Sequence, residues 1–266
     1  MEADIKTKID EFSTKFDSEE IKDADSVESS SFQFRNWFVT LDYKIIQPHF
    51  DDFFNISLKI ASHYRPPVQA NGCDCLYIIA TQGAPAQIKR VGSEIKKCTD
   101  KLVQVGHNEV MPSLMPLLSK CVPMTYENPS SDEFHEFFLH FLETWSRESI
   151  TPVSSYSFSK TAIDLMEFIG LSISRYIKPI LSIIMKRLAF NKSLAHTRRY
   201  AKVILEMSKQ SFPVISTNIE EIRKIIGKCR KIVDENNTDK SEASIIIEDC
   251  NEIEGILNAA PLPPRI

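Results

Sequence analysis

The side chains best equipped for chemistry are His135-Glu136 with His140, the pair Cys73 and Cys75 around Asp74, and four more cysteines, Cys98, Cys121, Cys229 and Cys250. Two helical histidines with a neighbouring glutamate suggest zinc-dependent hydrolysis, but that chemistry needs the histidines at i and i+4 on one face. Here they stand at i and i+5, about 140° apart around a helix axis. They read instead as residues flanking an aromatic stripe, Phe134, Phe137, Phe138, Phe141 and Trp145. A single residue between Cys73 and Cys75 is too short for a tetrahedral zinc clip. Nucleophile-elbow, phosphate-loop and dinucleotide patterns do not occur. No catalytic, cofactor-binding or metal-ligating residue is expected, and the chain reads as a non-enzyme.

Charge supplies one further candidate. Between residues 171 and 211 lie nine bases, Arg175, Lys178, Lys186, Arg187, Lys192, Arg198, Arg199, Lys202 and Lys209, against the single acid Glu206. Such a run is ordinarily a solvated helix face, and otherwise a docking surface for an acidic partner, because clustered like charge steers association. Arg175, Lys178, Arg198, Arg199 and Lys202 are the candidate partner-binding residues. Nucleic acid is the less favoured partner. Aromatic side chains are not interleaved with these bases as single-strand binding requires, and the whole chain carries a net charge of −4.

The elements that must position these residues are helical. Only 7 of 266 residues are glycine, well below the usual ~7%, which leaves little material for tight hairpins. Ile88, Val91, Ile95, Cys98 and Leu102 step by three and four. So do Met111, Leu114, Leu118 and Cys121; Ile215, Ile219, Ile222, Ile226, Cys229 and Val233; and Ile246, Cys250, Ile253 and Leu257. Each set is one face of a 3.6-residue period. The cysteines fall largely within such stripes and read as small buried apolar residues of a reducing compartment. Residues 1–20 alternate charges instead of carrying an apolar run, so no secretory leader is expected. The apolar stretch 176–190 is broken by Lys178, Lys186 and Arg187 and falls short of the ~20 residues of a membrane span.

Roughly ten helices in succession suit either a closed bundle or a stack of helix pairs. Pro48, Pro112 and Pro179 each open a strongly apolar helix, 64 and then 67 residues apart, read as two helix pairs per interval. That favours the stack, since repeats of roughly 35–45 residues mark helical solenoids. The expected organisation is a short helix over 1–16, an acidic flexible linker over 17–31, an α-solenoid over 32–258 and a Pro-rich extended tail over 259–266. The acidic helix 245–257 is the expected C-terminal cap.

Three segments carry a family resemblance. Ile169-Gly170-Leu171-Ser172-Ile173-Ser174 runs into Arg175-Tyr176-Ile177-Lys178. Arg65-Pro66-Pro67 precedes a helix with Cys75-Leu76, and Ser211-Phe212-Pro213-Val214 forms a turn. In their order along the chain they resemble the Tel-two-interacting-protein-two family over about residues 43–233. The matching positions are Cys75, Leu76, Gly170, Arg175, Lys178, Phe212 and Pro213, with Phe212 standing where the family has Trp. The family's long N-terminal region is here a helix and an acidic segment.

The resemblance implies a right-handed HEAT/armadillo-like α-solenoid of antiparallel helix pairs. It implies a non-catalytic scaffold subunit of the Triple T cochaperone complex, bound to a larger HEAT-repeat subunit and a Tel-two-type subunit. Through the ninety-kilodalton heat-shock chaperone, that assembly supports maturation and stability of phosphatidylinositol-3-kinase-related kinases in DNA-damage signalling. It implies residence in the cytoplasm and the nucleus, with neither nucleic acid nor membrane as a partner. The alternative is a generic HEAT-repeat adaptor for transport or trafficking that uses the basic face.

Overall fold

A computed structural model describes residues 2–17, 24–147, 151–236 and 239–261. Among them the secondary structure is helix and turn, without a strand. The expected extended tail lies largely outside the described residues. The chain divides into two compact units, Met1–Glu127 and Asn128–Ile266, where the sequence reading ran one domain from 32 to 258.

The first unit holds α1 (Glu2–Asp17), α2 (Ala24–Phe38), the single turn α3 (Tyr43–Ile46), α4 (Phe50–Ala61), α5 (Pro66–Gln82), α6 (Pro85–Val105) and α7 (Met111–Thr125). Local chemistry sets the boundaries. Prolines occupy the first turns of α5, α6 and α7, where a missing N–H costs no intrahelical bond. Asp42 caps α3 by accepting from the Lys44 and Ile45 amides at 2.9 and 3.2 Å. Gly106 closes α6 at φ 66°, a left-handed conformation that other residues adopt only at a cost.

The expected acidic linker is corrected here. Residues 18–23 lie outside the described residues, but 24–31 form the first half of α2. Val27 is buried, and Ser31 is fully buried, donating to the Glu28 carbonyl at 2.8 Å and accepting from Asn71 Nδ2 at 2.9 Å. Ser30 and Ser31 face the unit interior, so low hydrophobicity did not mean lack of order. Phe12 of α1 meets Phe34 edge-on with centroids 5.1 Å apart and stacks on Trp37 at 5.7 Å. That aromatic cluster, continued by Phe38 against Phe53 at 4.7 Å, ties α1, α2 and α4 together.

The second unit holds α8 (Asp132–Arg147), α9 (Pro152–Ile169), α10 (Ile177–Phe190), α11 (Leu194–Gln210), α12 (Ile219–Glu235) and α13 (Lys240–Ala259). Thr151 and Ser154 form a reciprocal capping box at the start of α9. Asp239 caps α13 by accepting from the Ser241 and Glu242 amides at 3.0 and 3.1 Å. A 3-10 segment, Gly170–Tyr176, joins α9 to α10, and another, Val214–Asn218, precedes α12. Ile215 therefore belongs to that second segment and not to α12, whose stripe begins at Ile219. Packing follows a rule of next and next-but-one: α9, α11 and α13 touch in sequence along one row, while α10 touches both α8 and α12 along another. The stretch Val153–Phe190 contains a window apolar enough to cross a membrane by composition. Its side chains Phe158, Leu165, Ile169, Ile173, Ile180 and Ile184 are buried within this unit.

The proline register is also corrected. Pro48 precedes α4, Pro112 opens α7 and Pro179 lies in the first turn of α10, so each interval spans three helices, not two pairs. A separation near 40 residues recurs in hydrogen bonds between elements distant in sequence. Arg35 Nε donates to Asp74 Oδ2 at 2.7 Å across 39 residues, and His135 Nδ1 bonds the Tyr176 hydroxyl at 2.8 Å across 41. Arg198 Nη1 donates to Glu242 Oε1 at 2.9 Å across 44, and the Ser155 and Tyr200 hydroxyls bond at 3.2 Å across 45.

Candidate protein-interaction surface

The basic stretch is divided by the fold. Arg187 is buried, 3% exposed, and its Nη2 donates to the Trp145 carbonyl at the end of α8, where a cation complements the helix dipole. Arg175 and Lys178 are exposed, on the 3-10 segment and the first turn of α10. Lys178 borders a recess with Asn218, Glu220 and Arg223. Arg198, Arg199 and Lys202 lie together on α11 beside a different recess, in company with Tyr156 and Lys160 of α9 and Glu242 of α13. Two of the five candidate residues thus sit apart from the other three.

Much of the positive charge is answered from within the chain. Lys192 reaches Glu235 of α12 at 3.0 Å, while Arg198 and Lys209 reach Glu242 and Glu252 of α13 at 2.9 and 2.8 Å. Lys202 pairs with Glu206 one turn along α11 at 2.9 Å. The acidic face of α13 is therefore a first partner of the basic face of α11, and the surface is not an open cationic field. Exposed pairs of this kind are worth about 0–1 kcal/mol each, so they set register more than stability. Asp249, buried beneath them, has its carboxyl pushed up by desolvation, with Lys202 and Arg198 opposing that shift.

Sequence reasoning missed the second wall of this recess. Tyr156 is half exposed and holds the Arg199 guanidinium 5.1 Å from its ring centroid. Lys160 pairs with Asp164 at 2.8 Å, and Ser159 is buried beneath them. A signal existed only for the acidic partners of the bases: Glu235, Glu242 and Glu252 stand 43, 44 and 43 residues after Lys192, Arg198 and Lys209.

The cysteines belong to the core. All six cysteines are free and buried. Burial raises the thiols of Cys73, Cys75 and Cys98 and pushes Cys121 up to about 12, which suppresses the nucleophilic thiolate. Cys229 keeps its proton through a hydrogen bond to Cys250 and through burial. His135 is engaged with Tyr176, whose hydroxyl is itself raised by burial. Among the described residues, no three His, Cys, Asp or Glu side chains converge as a metal-binding group. Of the family-motif positions, Cys75 and Leu76 are fully buried in α5. Gly170 ends α9 at φ 54°. Phe212 is half exposed and joined to Pro213 by a cis peptide bond in the turn after α11.

No family model matches the chain, and no curated protein matches it. Two crystal structures of engineered proteins from the Northeast Structural Genomics Consortium are similar in fold. One has a TM-score of 0.60 at 13% identity over 91% of this chain and 96% of its own. The other has a TM-score of 0.58 at 12% identity over 92% and 96%. The class defined by the fold is an all-α protein of packed amphipathic helices.

Proposed function

We propose that this chain is a non-catalytic α-solenoid scaffold, acting as the third subunit of a Triple T cochaperone complex that supports phosphatidylinositol-3-kinase-related kinases. The observation that carries the solenoid reading is the recurring separation of 39–45 residues between hydrogen-bonded partners, present in both units. A helix pair of that length, bonded to the pair before it, is the unit of HEAT-like repeats. The scaffold reading draws further support from the six cysteines, all buried, since a thiol nucleophile needs an accessible thiolate. The assignment to one complex rests on the three ordered segments around Cys75-Leu76, Gly170 to Lys178, and Phe212-Pro213. Fold by itself leaves the partner open.

Affinity purification of the full chain from its own cells tests the assignment. The larger HEAT-repeat subunit and the Tel-two-type subunit should co-purify in near-stoichiometric amounts. Recovery of neither by a well-folded bait refutes it.

A further inference from the structure

Arg198, Lys202 and Lys209 on α11 each reach a carboxylate of this chain at 2.8–2.9 Å. The bases of α10 and α12 are placed differently. α10 contains no acidic residue, and the acids of α12 stand only toward its two ends, Glu220 and Glu221 at one and Asp234 and Glu235 at the other. Arg230 turns to Glu254 of α13 at 2.8 Å, while Arg223 lies 3.8 Å from Glu220 and Lys231 3.8 Å from Glu235. Among the described residues no carboxylate pairs with Lys186, Lys224 or Lys228. Lys186 and Lys224 are exposed and Lys228 is half-buried, so their ammonium ends are open to solvent.

These three lysines share one surface. Lys192, just past α10, reaches Glu235 at 3.0 Å, and its carbonyl accepts from Asn236 Nδ2 at 3.2 Å. At the opposite end Lys178 borders one recess with Glu220 and Glu221. The two helices therefore run side by side in the same direction, offset by 43–44 residues. That register brings Lys186 within a turn of Lys228, and Ser182 within a turn of Lys224. Along α10, Lys178, Ser182, Lys186 and Phe190 follow at four-residue steps and are all exposed, Phe190 to 76%; such steps stay on one side of a helix. Lys224, Lys228 and Lys231 form the matching stripe on α12. Like charges one turn apart oppose folding, so an external anion gains from entering this strip.

We propose that the α10–α12 strip is the docking surface for a short acidic segment of a partner protein, its carboxylates meeting Lys186, Lys224 and Lys228 and an aliphatic residue covering Phe190. The fence of acids sets the length. Lys224 to Lys231 spans only about 10 Å along the axis, with carboxylates beyond both ends. A nucleic-acid strand or a flat anionic membrane would run past that strip onto Glu220, Glu221, Asp234 and Glu235, and a strand would find one ring where stacking needs a series. The whole chain carries a net charge of −4, so attraction of an acidic segment must be local. The proposal rests on the scaffold reading and not on the particular complex: purified chain and synthetic peptide test it, whereas co-purification tests the complex.

The test is fluorescence polarisation with the full chain and a labelled Glu-Glu-Leu-Glu-Glu-Leu-Glu-Glu peptide. The same peptide with lysine for glutamate, a short single-stranded oligonucleotide and phosphatidylserine vesicles are run beside it. Saturable binding of the acidic peptide, weakening as salt rises and tighter than that of the other three probes, is the expected result. Lys186→Gln with Lys228→Gln should weaken it roughly tenfold or more. Lys209→Gln, which removes the same kind of charge from α11, should change it by less than about twofold. If the double variant loses its helical circular dichroism, Lys224→Gln decides by the same comparison, with a weakening of roughly threefold expected. Absence of saturable binding, equal weakening by Lys209→Gln, or tighter binding of the oligonucleotide or the vesicles would overturn the proposal.

Discussion

Gly72 lies inside α5, where helix propensity alone says that alanine should be better by about 1 kcal/mol. The packing reverses the sign. A Cβ at Gly72 would stand 2.1 Å from the Ala61 backbone nitrogen and 2.4 Å from its Cα. Both obstacles are main chain of α4, so no rotamer can relieve them. Reaching an ordinary contact of about 3.5 Å requires the two helices to part by roughly 1.4 Å, the difference between 3.5 and 2.1. A radial gap of even ~0.5–1 Å forfeits a quarter to a half of each dispersion contact, and this interface holds Ile60, Ala61, Val68 and Leu76, all fully buried or nearly so. Overpacking of this order costs about 3 kcal/mol or more. After subtracting the propensity gain, Gly72→Ala should destabilise by about 2 kcal/mol, a fall in Tm of about 4–8 °C.

Gly227 in α12 is the control, since an added Cβ there meets nothing within 4 Å. Gly227→Ala should stabilise by about 0.5–1 kcal/mol. Urea and thermal unfolding followed by far-ultraviolet circular dichroism read both variants. A Gly72→Ala protein as stable as the parent would show that α4 and α5 do not approach as described.

Other consequences can be measured alongside. Ending the chain at Asp239 removes α13 and uncovers the surface that Ile246, Ile253 and Leu257 bury; at ~1.5–3 kcal/mol per side chain before entropy is offset, Tm should drop by at least about 5 °C, and an unchanged melting curve would rule out the capping role. Asp249 has a folded-state pKa above its unfolded value, so the native state binds the extra proton and stability falls as pH rises between the two values. Asp249→Asn should therefore raise Tm at pH 7 relative to the parent, with the gain vanishing below the usual aspartate pKa; a loss of stability at pH 7 would mean that the Arg198 and Lys202 attraction outweighs desolvation. A thiol reagent should label the native protein slowly and all six cysteines rapidly in denaturant, and fast native labelling would contradict their burial.

Helical class was legible because stripes such as Ile88, Ile95 and Leu102 repeat where α6 buries its face. The packing order of the helices was not, because prolines report only where a helix starts and not which helices touch: Pro48, Pro112 and Pro179 lie at the starts of helices three apart. The hydrogen-bond period near 40 residues links side chains as unlike as Arg35 with Asp74 and His135 with Tyr176, which no identity search along the chain reveals. The 17–31 segment misled through composition, since the buried Ser31 satisfies its hydroxyl across helices. At the surface, the cations of α11 were plain in the sequence. Their pairing with Glu242 and Glu252 was not, because charge runs say nothing of what lies opposite, and Tyr156 and Ser159 carry no local mark of their role.

The proposed role in supporting phosphatidylinositol-3-kinase-related kinases is tested most directly by acute depletion of the chain in its own cells. Quantitative blotting or proteomics after depletion should show several of these kinases declining together over one or two of their half-lives, while unrelated kinases of similar size hold steady. Kinase levels that remain unchanged once the chain is gone would contradict the account.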